Sequence, residues 1–445
     1  MSLPRFTFTT RARPFLEIGV GDPRIDTGVG RWDVAHWDNA ADATWSGVEP
    51  LWLDYTCESF EVATSIGRQR VTDAFSPGTA SVMLRNLTGW ADPHPPGTDP
   101  ALLTLRPGRA IRVGVDHTTL GRRVLFRGFI DRTEPRYDPS GHDVVALSAI
   151  DALGEVGRVN LAAVADPGVG AGELAGTRFH RILDAAKWST HKRSLMQTGV
   201  AMAATTFGKQ TVDEMTQTAD SAGGACFGDT AGNVCFRARD WQTYEPGDPL
   251  DATIGNIAAG EACPSSWVLS SDRQDIITQV ILGRTVDPTP FTYDDLPGQS
   301  LYGIEPYTRT DLICQSTSIL NTLAARILRT RGYRVTPRVE RVELSAATSP
   351  EALDVATIAT PYEPSRIRCR LLLSRGVIFD AEMFVTGVRH TITPEAWLCA
   401  LDLDWAKPFE SAAGRWDGDE WDQALWSGGP SLTEALESLH ALEAA

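Results

Sequence analysis

The clearest alternation of apolar and polar residues lies near the end of the chain. From Trp397 to Trp405 the sequence reads WLCALDLDW, and every second residue starting from Trp397 is apolar. A period of two indicates a half-buried antiparallel strand. Residues 383–393 are expected to supply the partner strand. Pro394 lies in the turn between them, because proline cannot donate a hydrogen bond to the strand ladder.

An upstream segment repeats this pattern. In residues 124–151 an apolar pair precedes Gly128, and Pro135 lies seven residues after the glycine. Downstream an apolar pair precedes Gly387, and Pro394 again lies seven residues after it. Both copies continue into an alternating strand. The sequence therefore predicts two related β-domains, with other material between and after them.

The same periodicities assign most of the remaining chain. Strands are predicted at residues 51–60, 61–70, 78–86, 111–115, 275–285 and 338–344. Helices are predicted at residues 172–188, 209–221 and 316–331, a hairpin at 223–239, and a Pro- and Asp-rich loop at 287–299.

These elements predict a mainly β protein with α+β insertions, in which two related β-barrel domains flank a helix–hairpin domain. At 445 residues the chain is too long for one core. The predicted domains are a first barrel at 1–155 with a Trp-rich loop at 30–47, a helix–hairpin domain at 156–265, a second barrel at 266–410 with an inserted helix at 316–331, and a Trp-rich loop with a short C-terminal helix at 411–445.

Two segments share one spacing of tryptophans. Residues 30–47 read GRWDVAHWDNAADATWSG, and residues 414–428 read GRWDGDEWDQALWSG. The tryptophans that align are Trp32, Trp37 and Trp45 with Trp416, Trp421 and Trp426. Such a segment is either an irregular loop held by buried indoles, or an exposed aromatic surface that docks a protein or stacks on sugar rings. We predict that all six tryptophans belong to partner-docking loops outside the barrels.

Composition excludes several classes of protein. Hydrophobic residues make up 42% of the chain and charged residues 22%, as in soluble globular proteins. No apolar run approaches the length of a membrane span, and the N-terminus lacks the apolar core of a signal peptide, so we expect synthesis in a cytoplasm. A net charge of −16 argues against general binding to nucleic acid, because contacts with the phosphates need clustered Lys and Arg.

The cysteines and carboxylates suggest no metal site. Seven cysteines are scattered without any CxxC pair, which predicts neither a zinc site nor a disulfide framework. A disulfide between Cys226 and Cys235, across the predicted hairpin, stays open. The acidic residues in 414–428 are more typical of a solvated loop than of a calcium site. We therefore expect no metal and no cofactor.

No catalytic constellation is present in the sequence. It contains no nucleophile elbow, P-loop or HExxH motif. Residues 170–175 match the loose dinucleotide fingerprint, but no strand of a βαβ unit precedes them. His390 lies within a predicted strand beside Arg389, and we expect it to be structural rather than catalytic. We therefore predict no catalytic residues and no enzymatic activity.

Short motifs in a fixed order run through most of the chain from Leu51 to Trp405. They are Gly67-Arg68, FSPGTA at 75–80, Asn86, Arg106-Pro107-Gly108, Leu125–Gly128, Gly172-Glu173, Arg181–Leu183, the hairpin at 223–239, Phe379-Asp380, and Val385, Gly387, Val388, His390, Ile392, Pro394 and Trp397. In this order they resemble the tail-tip, or baseplate, hub proteins of long-tailed bacteriophages, called minor tail proteins in phages of actinobacteria. The hubs of contractile tails and related secretion spikes are more distantly similar.

The resemblance implies a homotrimer at the virion tail tip. Two related barrels per subunit would alternate in a pseudo-six-fold ring, adapting the six-fold tail tube to a three-fold tip. The implied channel passes the tape-measure protein and DNA, and the implied partners are the distal tail protein, the tape-measure protein and other tail-tip proteins. Since only a short segment follows the second barrel, we expect a structural hub without a peptidase part.

Two other interpretations remain open from the sequence. A carbohydrate-binding adhesin would contact the host cell wall through exposed Trp-rich loops. A hydrolase would require a convergent acid and base pair, which the sequence does not show.

Overall fold

The structure is a computed structural model. It describes residues 11–20, 51–70, 73–86, 105–139, 143–163, 172–238, 241, 249–270, 276–331, 338–363, 365–373, 376 and 378–406. No helix in this part of the chain is long and apolar enough to cross a membrane.

The described elements follow in chain order. The first strands are β1 (Ala12–Val20), β2 (Leu51–Asp54), β3 (Ser59–Gly67), β4 (Thr79–Arg85), β5 (Ala110–His117), β6 (Gly121–Arg136) and β7 (Val144–Ile150). Next come α1 (Ala152–Gly157), β8 (Glu173–Leu174), α2 (Ala175–Ala185), β9 (Arg193–Leu195), β10 (Ala201–Met202), α3 (Thr211–Ala222), β11 (Ala225–Gly228) and β12 (Val234–Arg237). The remainder are β13 (Ala252–Gly255), β14 (Ser266–Ser270), β15 (Gln279–Arg284), β16 (Asp287–Asp294), α4 (Leu296–Tyr302), β17 (Pro306–Leu312), α5 (Thr317–Arg331), β18 (Arg338–Ser345), α6 (Pro350–Ile358), β19 (Arg366–Leu372), β20 (Ile378–Ile392) and β21 (Trp397–Trp405).

Thirteen of the described strands form one sheet, which includes the first and the last of them, β1 and β21. Its order is β14-β18-β21-β20-β3-β4-β7-β6-β5-β1-β2, with β19 and β13 branching from β20. The prediction of a mainly β chain with α+β insertions is confirmed. No pairing among the described strands joins the two ends of this path, so the closure predicted for both barrels is not seen. The domain boundaries stay a prediction.

The two longest of the described strands, β6 and β20, are built in the same way. Residues 121–129 of β6 pair with β5, and residues 129–136 pair with β7. Residues 378–384 of β20 pair with β19, and residues 383–392 pair with β21. Each strand changes partner along its length and has a register shift in the second pairing, which adds local twist. The sequence echo around Gly128 and Gly387 therefore lies on two strands of similar design.

The pairing of β3 with β20 joins the two halves of the sheet. Its register runs from Gly387 opposite Gly67 to Ile392 opposite Val62. Gly67 has φ +103, and a Cβ there would lie 2.3 Å from the carbonyl oxygen of Thr386 and 2.7 Å from the Cα of Gly387. Only glycine fits this approach, because a side chain would clash with the facing backbone and would strain φ.

The described residues form three hydrophobic cores around the sheets. The sheet core combines residues from both halves of the large sheet with α6, and it includes Val82 and Leu401. The helix core packs α1, α2 and α3 around residues such as Phe179 and Met215. The crossover core lies between α5 and the small sheet β16-β15-β17, and includes Val280. All three cores belong to one compact unit, which consists of Met1–Gln242 and Leu250–Ala406.

The hairpin β11–β12 contributes to two of these cores. Ala225, Phe227 and Cys235 belong to the sheet core. Cys226 and Phe236 belong to the helix core. Because neighbouring residues of a strand point to opposite faces, one short hairpin has both faces buried and attaches the helices to the large sheet.

The Pro- and Asp-rich loop predicted at residues 287–299 is wrong. These residues form β16 and the first part of α4. β16 is an edge strand of its small sheet, where proline is tolerated because the missing N–H would have no strand partner. Phe291 and Tyr293 pack against the crossover core, which fixes the strand in place.

Other elements also differ from the sequence pattern. A turn at residues 56–58 divides the strand predicted at 51–60 into β2 and the start of β3. Helix α6 was not predicted, although Ser349-Pro350-Glu351 is a helix-start signal. The Ser349 hydroxyl accepts a hydrogen bond from the Ala352 amide at 3.0 Å.

Asp151 begins α1 at the point where β7 ends. Its carboxylate accepts hydrogen bonds from the Gly78 amide at 2.7 Å and from the Gly154 amide at 2.9 Å. Burial raises the pKa of Asp151 to about 7, against the lowering effect of these backbone donors; the charge of Asp229 raises it further. Asp151 therefore titrates near neutral pH in the folded protein.

We expect Gly67→Ala to lower the free energy of unfolding by about 3 kcal/mol or more, because the new methyl group meets the backbone of β20. Urea unfolding of the full chain measures this loss. Gly121→Ala is the matched control, since Gly121 has φ +72 and no atom within 4 Å of its Cβ position. The control should lose about 1 kcal/mol. Equal losses in both variants would contradict a role for the close approach.

We expect Asp151 to make the protein less stable as the pH rises. The pKa of Asp151 in the folded protein, about 7, lies above its ordinary value of 3.8. The contribution of Asp151 to stability is therefore complete below pH 3.8 and is lost as the pH rises through about 7. Between about pH 5.5 and about pH 8 the loss is about 2 kcal/mol, measured by urea unfolding. Asp151→Asn should remove this part of the pH dependence. An unchanged slope in the variant would contradict the assignment.

Candidate functional site

The predicted docking tryptophans, Trp32, Trp37, Trp45, Trp416, Trp421 and Trp426, lie outside the described residues. Their role as partner-docking residues stays a prediction. The structure does describe what flanks the two segments. Val20 at the end of β1 pairs with Leu51 at the start of β2, so the first segment belongs to the connection between two adjacent antiparallel strands. The second segment follows β21 in the sequence.

His390 has a structural environment. The Trp397 indole donates a hydrogen bond to Nδ1 of His390, with 3.2 Å between the two nitrogens. Burial lowers the pKa of His390 to about 4, so the ring is neutral at physiological pH. A general acid or base works best with a pKa near the operating pH. His390 therefore suits the packing of β20 against β21 better than proton transfer.

The fingerprint at residues 170–175 does not lie in a dinucleotide-binding context. Its described part leads into the two-residue strand β8, which pairs antiparallel with β10. A dinucleotide site requires a parallel βαβ unit instead. Glu173 of this segment pairs with Arg181, with two nitrogen–oxygen distances of 2.9 Å. The Gly172-Glu173 and Arg181 motifs therefore meet in one bidentate ion pair that fastens the start of α2.

A buried charge network continues from this pair. Arg178 lies 3.2 Å from the carboxylate of Glu214 and 3.8 Å from that of Glu173, and all three side chains are almost completely buried. Burial, and then the charge of Arg181, lower the pKa of Arg178, while both carboxylates raise it. The network links α2 to α3, so its role is to hold the helices together.

The two cysteines of the hairpin do not face each other. Cys226 is opposite Phe236 and Cys235 is opposite Phe227, so the thiols point to opposite faces. Both are free, and burial raises the pKa of each thiol. The disulfide left open by the sequence does not form. Among the described residues no group of three or more His, Cys, Asp or Glu side chains has a metal-binding arrangement.

Four aromatic side chains from distant parts of the sequence pack together. We call this group the junction cluster. Its members are Phe75, Phe227, Trp241 and Tyr362. The ring centroid of Phe227 lies 4.9 Å from that of Phe75, 5.0 Å from that of Tyr362 and 5.6 Å from that of Trp241. Phe75 precedes β4, Phe227 is in the hairpin, and Tyr362 precedes β19. The cluster thus connects distant parts of the sequence.

Arg68 covers one side of the junction cluster. Its guanidinium carbon lies 4.5 Å from the ring centroid of Phe75 and 6.0 Å from that of Trp241, at cation–π distance. It donates a hydrogen bond to the backbone carbonyl of Asp73 at 3.1 Å. Burial, and then the positive charge of Arg326, lower the pKa of Arg68 to about 9. Arg68 remains charged at neutral pH.

Sequence reasoning found only part of this site. Arg68 and Phe75 belong to motifs that carried the resemblance, and Phe227 lies in the predicted hairpin. Trp241 and Tyr362 were not singled out. Neither lies in a strand or helix, so no periodicity marks them. The only signal was their aromatic character next to predicted elements.

Comparisons of the fold with solved structures find tail proteins that are similar to this chain. The tail protein of Neisseria meningitidis MC58 superposes with a TM-score of 0.55 and 14% identity, over 79% of this chain and 93% of that chain. The 43 kDa tail protein of prophage MuSo2 from Shewanella oneidensis gives a TM-score of 0.51 and 10% identity, over 80% of this chain and 96% of that chain. At these identities the similarity establishes the fold and no more.

Sequence comparisons alone give no relative. No protein-family model matches this chain. No curated protein matches it either. The resemblance to tail proteins inferred from short ordered motifs is nevertheless confirmed by the superposed structures: this chain has the fold of these two tail proteins.

Proposed function

We propose that this chain is a structural hub of a phage tail tip. The single observation that carries the proposal is the fold shared with two tail proteins, one of them from a prophage, over about four fifths of the chain. In the proposed assembly three copies form a ring that adapts a six-fold tail tube to a three-fold tip. The ring surrounds a channel for the tape-measure protein and DNA, next to the distal tail protein.

The arrangement of β6 and β20 supports this assembly. A three-fold ring that meets a six-fold tube needs two similar contact faces in each subunit. β6 and β20 are long strands that change partners in the same manner, one in each half of the sheet. The pairing of β3 with β20 then fixes the two halves to each other within one sheet.

The described polar groups support a structural role rather than catalysis. The buried charges of Arg178 and Glu214 are paired, Asp151 caps a helix, and His390 accepts a hydrogen bond from an indole. Each of these four groups thus has a structural partner. We propose that the protein has no enzymatic activity and that lysis of the host wall belongs to other proteins.

We expect the purified full chain to form a trimer of about 145 kDa, three times the chain mass of 48.3 kDa. Multi-angle light scattering measures the mass, and negative-stain imaging tests for a ring with a central opening. A monomer or dimer throughout the micromolar range would contradict the trimeric ring. It would leave the fold similarity intact.

We expect the double variant Trp421→Ala with Trp426→Ala to fold normally but to bind the neighbouring tail protein at least about tenfold more weakly, because tryptophans dominate interface hot spots. Circular dichroism measures folding, and titration against the distal tail protein measures binding. Tyr137→Ala is the control, since Tyr137 is an exposed aromatic residue, 58% accessible, outside both Trp segments. Unfolding of the double variant would show that the indoles belong to the core.

A further inference from the structure

Helix α4 and the residues that follow it present apolar side chains to solvent. Leu296, Leu301 and Ile304 are 69%, 63% and 62% accessible, which makes them the three most exposed large hydrophobic residues in the described part of the chain. Because a helix of seven residues is only about 10 Å long, one binding partner can cover all three. Exposed apolar residues that lie together, unlike single ones, mark interaction surfaces.

Hydrogen bonds hold this helix against its small sheet. The anchor is Thr278, a completely buried residue directly before β15. Its carbonyl oxygen accepts hydrogen bonds from the Asp295 amide at 2.9 Å and from the Gln299 side chain at 3.1 Å. Its hydroxyl donates to the Gly303 carbonyl at 2.8 Å and accepts from the Glu305 amide at 2.8 Å. Both ends of the helix are therefore fixed to one buried residue.

The apolar side chains of α4 are not needed for this attachment. None of the three cores that the described residues form includes a residue of α4. Within the helix only Gly298 is buried. The polar contacts thus fix the helix with its leucines facing outward, and a surface that is already ordered loses little conformational entropy when a partner binds.

The sequence around α4 is acidic. Residues 285–308 contain Asp287, Asp294, Asp295 and Glu305 but no lysine, arginine or histidine. Four carboxylates without a cationic side chain give this stretch a formal charge of −4. The exposed apolar group therefore lies in a negatively charged part of the chain.

The carboxylate of Asp294 is held beside the helix. Gln279 and Gln299 donate hydrogen bonds to the same oxygen, Oδ1, at 2.8 Å and 2.7 Å. These two neutral donors lower the pKa of Asp294, so the group is ionised at neutral pH. Asp294 is exposed, and no lysine or arginine among the described residues forms an ion pair with it. Since Gln299 belongs to α4, this oriented charge lies next to the apolar side chains.

The two properties together select the chemistry of the partner. Apolar side chains are needed to cover the leucines and the isoleucine, and a cationic group is needed to pair with Asp294. A second copy of this chain matches less well, because each copy carries a net charge of −16. We propose that Asp294, Leu296, Leu301 and Ile304 form a docking surface, the α4 surface, for a segment of another protein in which apolar side chains alternate with lysine or arginine.

The probe is a short amphipathic peptide of leucine and lysine, labelled with a fluorophore and titrated with the full-length protein. One comparison peptide has glutamate in place of lysine, and the other has serine in place of leucine. We expect the leucine–lysine peptide to bind at least about tenfold more tightly than either, because only it supplies both the positive charge and the apolar area. Equal binding of the leucine–lysine peptide and either comparison peptide, or no binding of the leucine–lysine peptide, would overturn the proposal.

A double variant assigns the binding to the α4 surface. Leu301→Ser with Ile304→Ser should weaken binding of the leucine–lysine peptide by about tenfold or more, because the apolar contact area is lost. Leu398→Ser is the matched control, since Leu398 is an exposed leucine of β21. Circular dichroism verifies that both proteins fold. Unchanged affinity in the folded double variant would overturn the proposal. A lower oligomeric state of the double variant in light scattering would show that a second copy covers the surface, and would overturn it as well.

A single variant tests the charge and does not change the apolar residues. Asp294→Asn keeps a side-chain oxygen that can accept the hydrogen bonds of both glutamines, but it removes the negative charge. We expect about threefold weaker binding of the leucine–lysine peptide and a smaller effect of salt on its affinity. Asp116→Asn, at an exposed position of β5, is the control and should leave both unchanged. Equal affinity and equal salt dependence in Asp294→Asn and the unmodified protein would overturn the proposal.

Discussion

The close approach of Gly67 to the backbone of β20 is the constraint on which the rest of the structure depends. A Cβ at this position would lie 2.3 Å from the carbonyl oxygen of Thr386, so any side chain at residue 67 would strain the hydrogen-bonded register of β3 and β20. Over 300 residues separate the two strands in sequence. Closing a loop of that length costs conformational entropy, which the pairing and the burial of the sheet core offset.

The hairpin β11–β12 extends this constraint to the middle of the chain. Its two buried faces belong to different cores, with Phe227 on one side and Phe236 on the other. Phe227 stacks in the junction cluster, while Phe236 stacks on Phe179 of α2 with 4.2 Å between ring centroids. Movement of the helices would therefore disturb the large sheet.

Asp402 shows how a buried charge is accommodated in the large sheet. Asp402 lies on the side of β21 that alternation assigns to solvent, yet it is almost completely buried because Arg341 and Arg389 cover it at 3.0 Å and 2.7 Å. These paired charges hold Asp402 within the sheet.

The sequence by itself determined the local elements and the general family of folds. Alternation located β20 and β21, the 3.6-residue period located α2, α3 and α5, and ordered motifs indicated a tail protein. Only the tertiary structure decided that β16 is a strand despite its prolines, because edge position is a property of the sheet. It also decided that Cys226 and Cys235 lie on opposite faces, and that Trp241 and Tyr362 meet Phe227. These contacts join residues far apart in sequence, and local periodicity carries no information about which distant side chains will be neighbours.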